Sequence, residues 1–126
     1  MILAAILLSA TGPAAAAPLA AVPDDEIVVM ARKLKTWRGS WGSKKGVFSC
    51  STKRSTGDAE IDAIGCAAID HCVRPRVPEF QAIADAKLPK AERNRRMNAL
   101  SQSLLPCMDA RHQSGIEALA DRRAVS

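Results

Sequence analysis

Four cysteines, Cys50, Cys66, Cys72 and Cys107, follow an N-terminus with no charged side chain through residue 22. That combination constrains the chain more than any other feature. Residues 2–10 form an apolar run of the length expected for a signal peptide, and small residues follow it. Ala14 and Ala16 satisfy the small-x-small cleavage rule, so the cut is expected after Ala16, leaving Ala17 as the new N-terminus. The run is far short of the ~20 residues that a membrane-spanning helix needs. The expected location is therefore the periplasm or the exterior of the cell, where an even number of cysteines argues for disulfides.

Removal of residues 1–16 leaves 110 of the 126 residues, which is marginal for a single hydrophobic core. Small exported domains of this size commonly add crosslinks. The expected division is a signal peptide at 1–16, a flexible acidic leader at 17–26, a basic β-hairpin at 27–57 and a helical part of the same domain at 58–126. The fold class is α+β: a disulfide-stapled domain with an N-terminal hairpin packed on three or four helices. A monomer is expected.

The net charge of +5 is unevenly placed. Asp24, Asp25 and Glu26 are followed by Arg32, Lys33, Lys35, Arg38, Lys44, Lys45, Lys53 and Arg54, with no acid between residues 27 and 57. From residue 58 onward the two signs balance. The β-branched stretch Ile27, Val28, Val29 and Met30 reads as a first strand, and Leu34, Trp37 and Trp41 continue an extended pattern. Ser43 to Gly46 reads as a turn, with Gly46 free to take positive φ. A second strand then alternates, with Val47, Ser49, Ser51 and Lys53 on one side and Phe48, Cys50, Thr52 and Arg54 on the other.

Beyond Gly57 the period changes to that of helices. Thr56 or Asp58 can cap a helix whose buried face is Ile61, Ile64, Ala68 and Cys72. Pro75 and Pro78 end it, and a short helix is expected over 79–86. Pro89 opens a longer helix with Met97, Leu100, Leu104 and Cys107 or Met108 on one stripe, and Pro106 should kink or divide it.

These elements limit the cysteine pairing. Six residues of helix rise ~9 Å and turn through ~600°, so Cys66 cannot reach Cys72. Two pairings remain: Cys50–Cys66 with Cys72–Cys107, or Cys50–Cys72 with Cys66–Cys107. The first is favoured, because it ties strand to helix and that helix to the C-terminal helices. His71 beside Cys72 and His112 after Cys107 are the residues a metal reading would use, but no C-x-x-C occurs and no metal or other cofactor is expected. No serine–histidine–aspartate set, H-E-x-x-H or phosphate loop is visible, so no catalytic residue is assigned and an enzyme is not expected.

Two segments carry resemblances. Residues 50–66 read C-S-T-K-R-S-T-G-D-A-E-I-D-A-I-G-C and resemble part of the C-terminal domain of TonB-type energy transducers. Ser55, Thr56, Gly57, Ile61, Asp62 and Cys66 fall on matching positions. In that family a strand, a turn and a helix follow one another here, and a second Cys can follow at this spacing. Residues 25–30, D-E-I-V-V-M, resemble the TonB box of outer-membrane receptors, which adds as a strand to an exposed sheet edge. The chain as a whole looks like small exported proteins of sphingomonad-type alphaproteobacteria.

The leading expectation is a non-enzymatic envelope protein that binds an acidic partner or surface through Arg32, Lys33, Lys35, Trp37, Arg38, Trp41, Lys44 and Lys45. Anionic lipid, acidic polysaccharide and acidic protein all suit; export argues against nucleic acid. The alternative is an accessory of TonB-type transport acting by strand addition at residues 27–30. Mass analysis of the protein from its native envelope should show a chain beginning at Ala17 with no free thiol; a full-length chain with four thiols would reverse the compartment.

Overall fold

The computed structural model describes residues 24–125. The expected signal peptide at 1–16 and the leader segment 17–23 lie outside them. Helix α1 spans Asp24–Thr36, and strands β1 (Arg38–Lys44) and β2 (Val47–Arg54) form an antiparallel hairpin. Helices α2 (Ala59–Cys72), α3 (Val77–Asp85), α4 (Lys90–Ser103) and α5 (Leu105–Ala124) follow, with a 3₁₀ turn at Arg74–Arg76. The domain is α+β, with the hairpin packed on helices and two disulfides.

One element corrects the sequence reading. Residues 27–30 are helical, and so are residues 24–26 of the expected flexible leader. The hairpin accordingly covers 38–54 rather than 27–57. The β-branched run favours a strand locally. Over a longer window, however, Ile27, Met30 and Leu34 recur at helical spacing, and Met30 and Leu34 are buried. Acidic residues at the start and Lys33 and Lys35 in the last turn also suit the helix dipole. Strand addition through residues 27–30 would require this helix to unwind.

The hairpin turn uses Lys45 (φ 51°) and Gly46 (φ 77°), the two successive positive φ values of a twist-matched two-residue turn. Trp41 faces Cys50 and Ser43 faces Phe48 across the strands. A bulge sets Arg38 opposite Arg54 and Gly39 opposite Thr52, leaving Lys53 without a cross-strand partner. The alternation expected for β2 holds from Val47 to Cys50, with Phe48 and Cys50 turned towards the helices and Val47 and Ser49 exposed; beyond it Ser51, Thr52, Lys53 and Arg54 are all exposed, at the bulged end of the ladder.

Trp37, at the junction of α1 and β1, is buried and fixes how the layers meet. The outer edge of its indole lies against Gly39, and the middle of the ring system lies against Gly65 on α2. A Cβ at Gly65 would fall 2.5 Å from the ring, and one at Gly39 would overlap it. The indole N–H donates to Thr52 Oγ1 at 2.9 Å. Gly115 plays a similar part between α5 and α2, where a Cβ would lie 2.7 Å from Ile64 Cγ2.

Helix α2 is the hub. Its predicted face of Ile61, Ile64, Ala68 and Cys72 is buried, and Asp58 caps it by accepting from Glu60 N at 3.0 Å and Ile61 N at 3.2 Å. Arg123, at the end of α5, pairs with Asp58 at 2.7 Å and so ties the two helices. Asp62 accepts from Thr56 N and Thr56 Oγ1, both at 2.8 Å, and from the Ser55 hydroxyl, which holds the preceding loop. Cys50–Cys66 joins β2 to α2, and Cys72–Cys107 joins α2 to α5, with Cα separations of 5.8 and 6.0 Å. This is the favoured pairing. Pro106 sits in the first turn of α5, so its missing N–H costs nothing there and the long helical pattern divides at Leu104.

Two outcomes test this packing. Gly65→Ala should destabilise the fold by about 1–3 kcal/mol through overpacking against Trp37, whereas Gly42→Ala, which meets nothing within 4 Å, should stay near wild type in thermal unfolding. The Arg123 guanidinium holds the Asp58 carboxyl below its ordinary range, aided by the two backbone N–H groups. The folded state therefore favours the ionised form. That contribution is complete above the ordinary carboxylate value of about 3.9 and fades as pH falls through the lowered one. Asp58→Asn should remove this part of the acid dependence of Tm.

Candidate functional site

The eight cations of the acid-free stretch do not form one patch. Arg32, Lys33 and Lys35 lie exposed on α1, not on the hairpin. Arg38 opens β1 and donates from Nη1 to Lys35 O at 3.0 Å and Trp37 O at 2.9 Å. It thereby satisfies the carbonyls at the end of α1. Arg38, Lys53 and Arg54 thus gather at the base of the hairpin beside Lys35. Lys44 and Lys45 stand at the tip. A seven-residue strand spans about 20 Å, which separates the base from the tip.

Among the described residues none of these eight cations pairs with a carboxylate. By contrast, Arg74, Arg76, Arg95, Arg96 and Arg123 all do. The hairpin charge is therefore uncompensated locally, and nearby solvent and salt are its counter-environment.

The two tryptophans part company. Trp37 is a core residue, as its glycine cradle and its bond to Thr52 require. Trp41 is half-buried on the inner face of β1, stacked on Phe48 at 5.9 Å and edge-on to Phe80 of α3 at 5.0 Å. Arg74, ion-paired to Asp70, lies over the Phe48 ring at 5.0 Å. Trp41 also lines an open cleft of about 320 Å³ between the hairpin and helices α3 and α4, with Ser43, Val77, Phe80, Ala84 and Met97 among its walls. Opposite Lys44 across the turn, Val47 is 67% exposed.

Sequence reasoning named Trp41, Lys44 and Lys45 but not Phe80, Val77 or Met97 as their neighbours. No local signal joins α3 and α4 to the hairpin; only the tertiary packing does. A second, shallow groove of about 440 Å³ runs between α2 and α5, bordered by Arg111 and Arg122 and floored by Ile64, Ala68 and Gly115. Arg111 Nη2 lies 2.5 Å from His71 Nδ1 at this groove. His112 is half-buried, and burial pushes its imidazole below the ordinary value. All four cysteines are in disulfides, so neither histidine has a thiolate beside it. Among the described residues no three His, Cys, Asp or Glu side chains gather as a metal site.

No family, curated protein or solved structure matches this chain. No helix among the described residues is long and apolar enough to cross a membrane.

Proposed function

We propose that this chain is a non-enzymatic envelope protein, periplasmic or secreted, that binds an acidic partner or surface through the basic hairpin. The carrying observation is the uncompensated charge of Lys44 and Lys45 at the tip and of Arg38, Lys53 and Arg54 at the base, in a stretch with no acid. Two disulfides support an oxidising compartment. Such a field acts on any anionic surface within a Debye length, about 8 Å at physiological salt, so the association should weaken as salt rises.

The test is co-sedimentation with isolated cell envelopes across a salt series. Reversal of Lys33, Lys35, Lys44 and Lys45 to Glu should abolish association. Because the base and tip are distinct, Lys44→Glu with Lys45→Glu and Lys53→Glu with Arg54→Glu should each be read separately. Unchanged association of the fourfold variant overturns the reading.

A further inference from the structure

We propose that the cleft beneath the hairpin is a binding site for the acyl chain of an anionic lipid, with the phosphate headgroup held by Lys44 and Lys45. The proposal rests on the hairpin reading above and names its ligand class. The cleft has the chemistry of a chain site. Trp41, Phe80, Val77 and Met97 supply apolar walls, and its volume of about 320 Å³ is at the small end of ligand pockets. Ser43 lines the cleft and the next two residues, Lys44 at the end of β1 and Lys45 in the turn, form the cationic tip, with Lys44 leaving the strand on the face opposite Ser43.

The tip itself favours a lipid surface over an acidic protein. Val47 projects into solvent directly across from Lys44, with Lys45 and Gly46 in the turn between them. An exposed apolar side chain flanked by lysines matches the headgroup boundary, where the apolar group enters and the ammonium groups reach the phosphates. The carboxylates near the cleft are already engaged: Asp70 with Arg74, Glu79 with Arg76, and Asp85 with Gln81. Asp70 and Glu79 are charge-compensated by their arginines, whereas Asp85 accepts from a neutral amide and keeps its charge.

The experiment uses the protein purified from its native envelope with both disulfides formed, and variants prepared in the same way. Phosphatidylglycerol carrying brominated chains, which quench tryptophan on contact, is presented first as a short-chain monomer and then in vesicles. Quenching of Trp41 is expected, while Trp37, enclosed by Gly39 and Gly65, keeps its emission; Trp41→Phe identifies the quenched ring. Ala84→Phe, and independently Ser101→Phe from the α4 side, fill the cleft from exposed positions. Each should weaken monomer binding by about tenfold or more, with circular dichroism unchanged.

The outcomes separate the two readings. Vesicle binding that vanishes on Lys44→Glu with Lys45→Glu, joined to quenching that vanishes on filling the cleft, supports both. Vesicle binding through the lysines with no quenching, or with quenching that survives both filled variants, overturns the chain site and leaves the hairpin reading intact. Monomer quenching that depends on the cleft, with vesicle and envelope binding indifferent to the lysines, keeps the chain site and overturns the hairpin reading and the headgroup assignment. Trp41 emission that ignores the lipid but responds to an acidic phenylalanine-bearing peptide overturns the lipid assignment in favour of a protein partner.

Discussion

The packing of this domain depends on one side chain that closely approaches two glycines. Trp37 leaves the end of α1, lies against Gly39 at the start of β1 and rests on Gly65 in the middle of α2. A tryptophan brings a large apolar area but needs a partner for its N–H, and Thr52 of β2 provides one. One residue therefore sets the spacing of three elements and the adjoining strand. Glycine in a helix interior costs about 1 kcal/mol relative to alanine, and the close approach of the indole offsets that cost here.

The two disulfides act on the same hub. A crosslink that closes a loop of this size contributes ~3 kcal/mol in the chain-entropy model, a large share of the stability of a small domain. Cys50–Cys66 holds the hairpin to the middle of α2, and Cys72–Cys107 holds α5 to the C-terminal end of α2. In the N-terminal half of α2 the Asp58–Arg123 pair and the Gly115–Ile64 contact align it with α5. With the scaffold fixed in this way, the outer face of the hairpin carries no packing duty. Its serines, lysines and Val47 are free to face solvent or a partner. That division is the physical basis for assigning charge-mediated binding to the tip and outer face of the hairpin, while its inner face packs on the helices and borders the cleft.

The scaffold was largely legible in the sequence. Cysteine arithmetic and helix geometry excluded Cys66–Cys72, and the simplest stapling of the remaining cysteines is the one found. The α2 face, its Asp58 cap, the alternation of β2, the turn at Gly46 and the break at Pro106 are short-range features, decided by residues within a few positions of each other. The first element misled because β-branching at 27–29 is a strong local signal. The Ile27, Met30 and Leu34 stripe that prevails is visible only over a longer window, and becomes decisive when α2 and α5 cover it.

The sequence by itself determined the crosslinked α+β scaffold, the acid-free run of cations and the small set of aromatics, because charge, spacing and capping are properties of neighbouring residues. Only the tertiary structure decided what those residues do. It buried Trp37 and left Trp41 at a cleft, divided the cations between base and tip, and brought Phe80 and Met97 beneath the hairpin. The reason is that burial depends on which surfaces meet, and helices α3 and α4 meet the hairpin through contacts between residues some 40 to 60 positions apart, which no local pattern encodes.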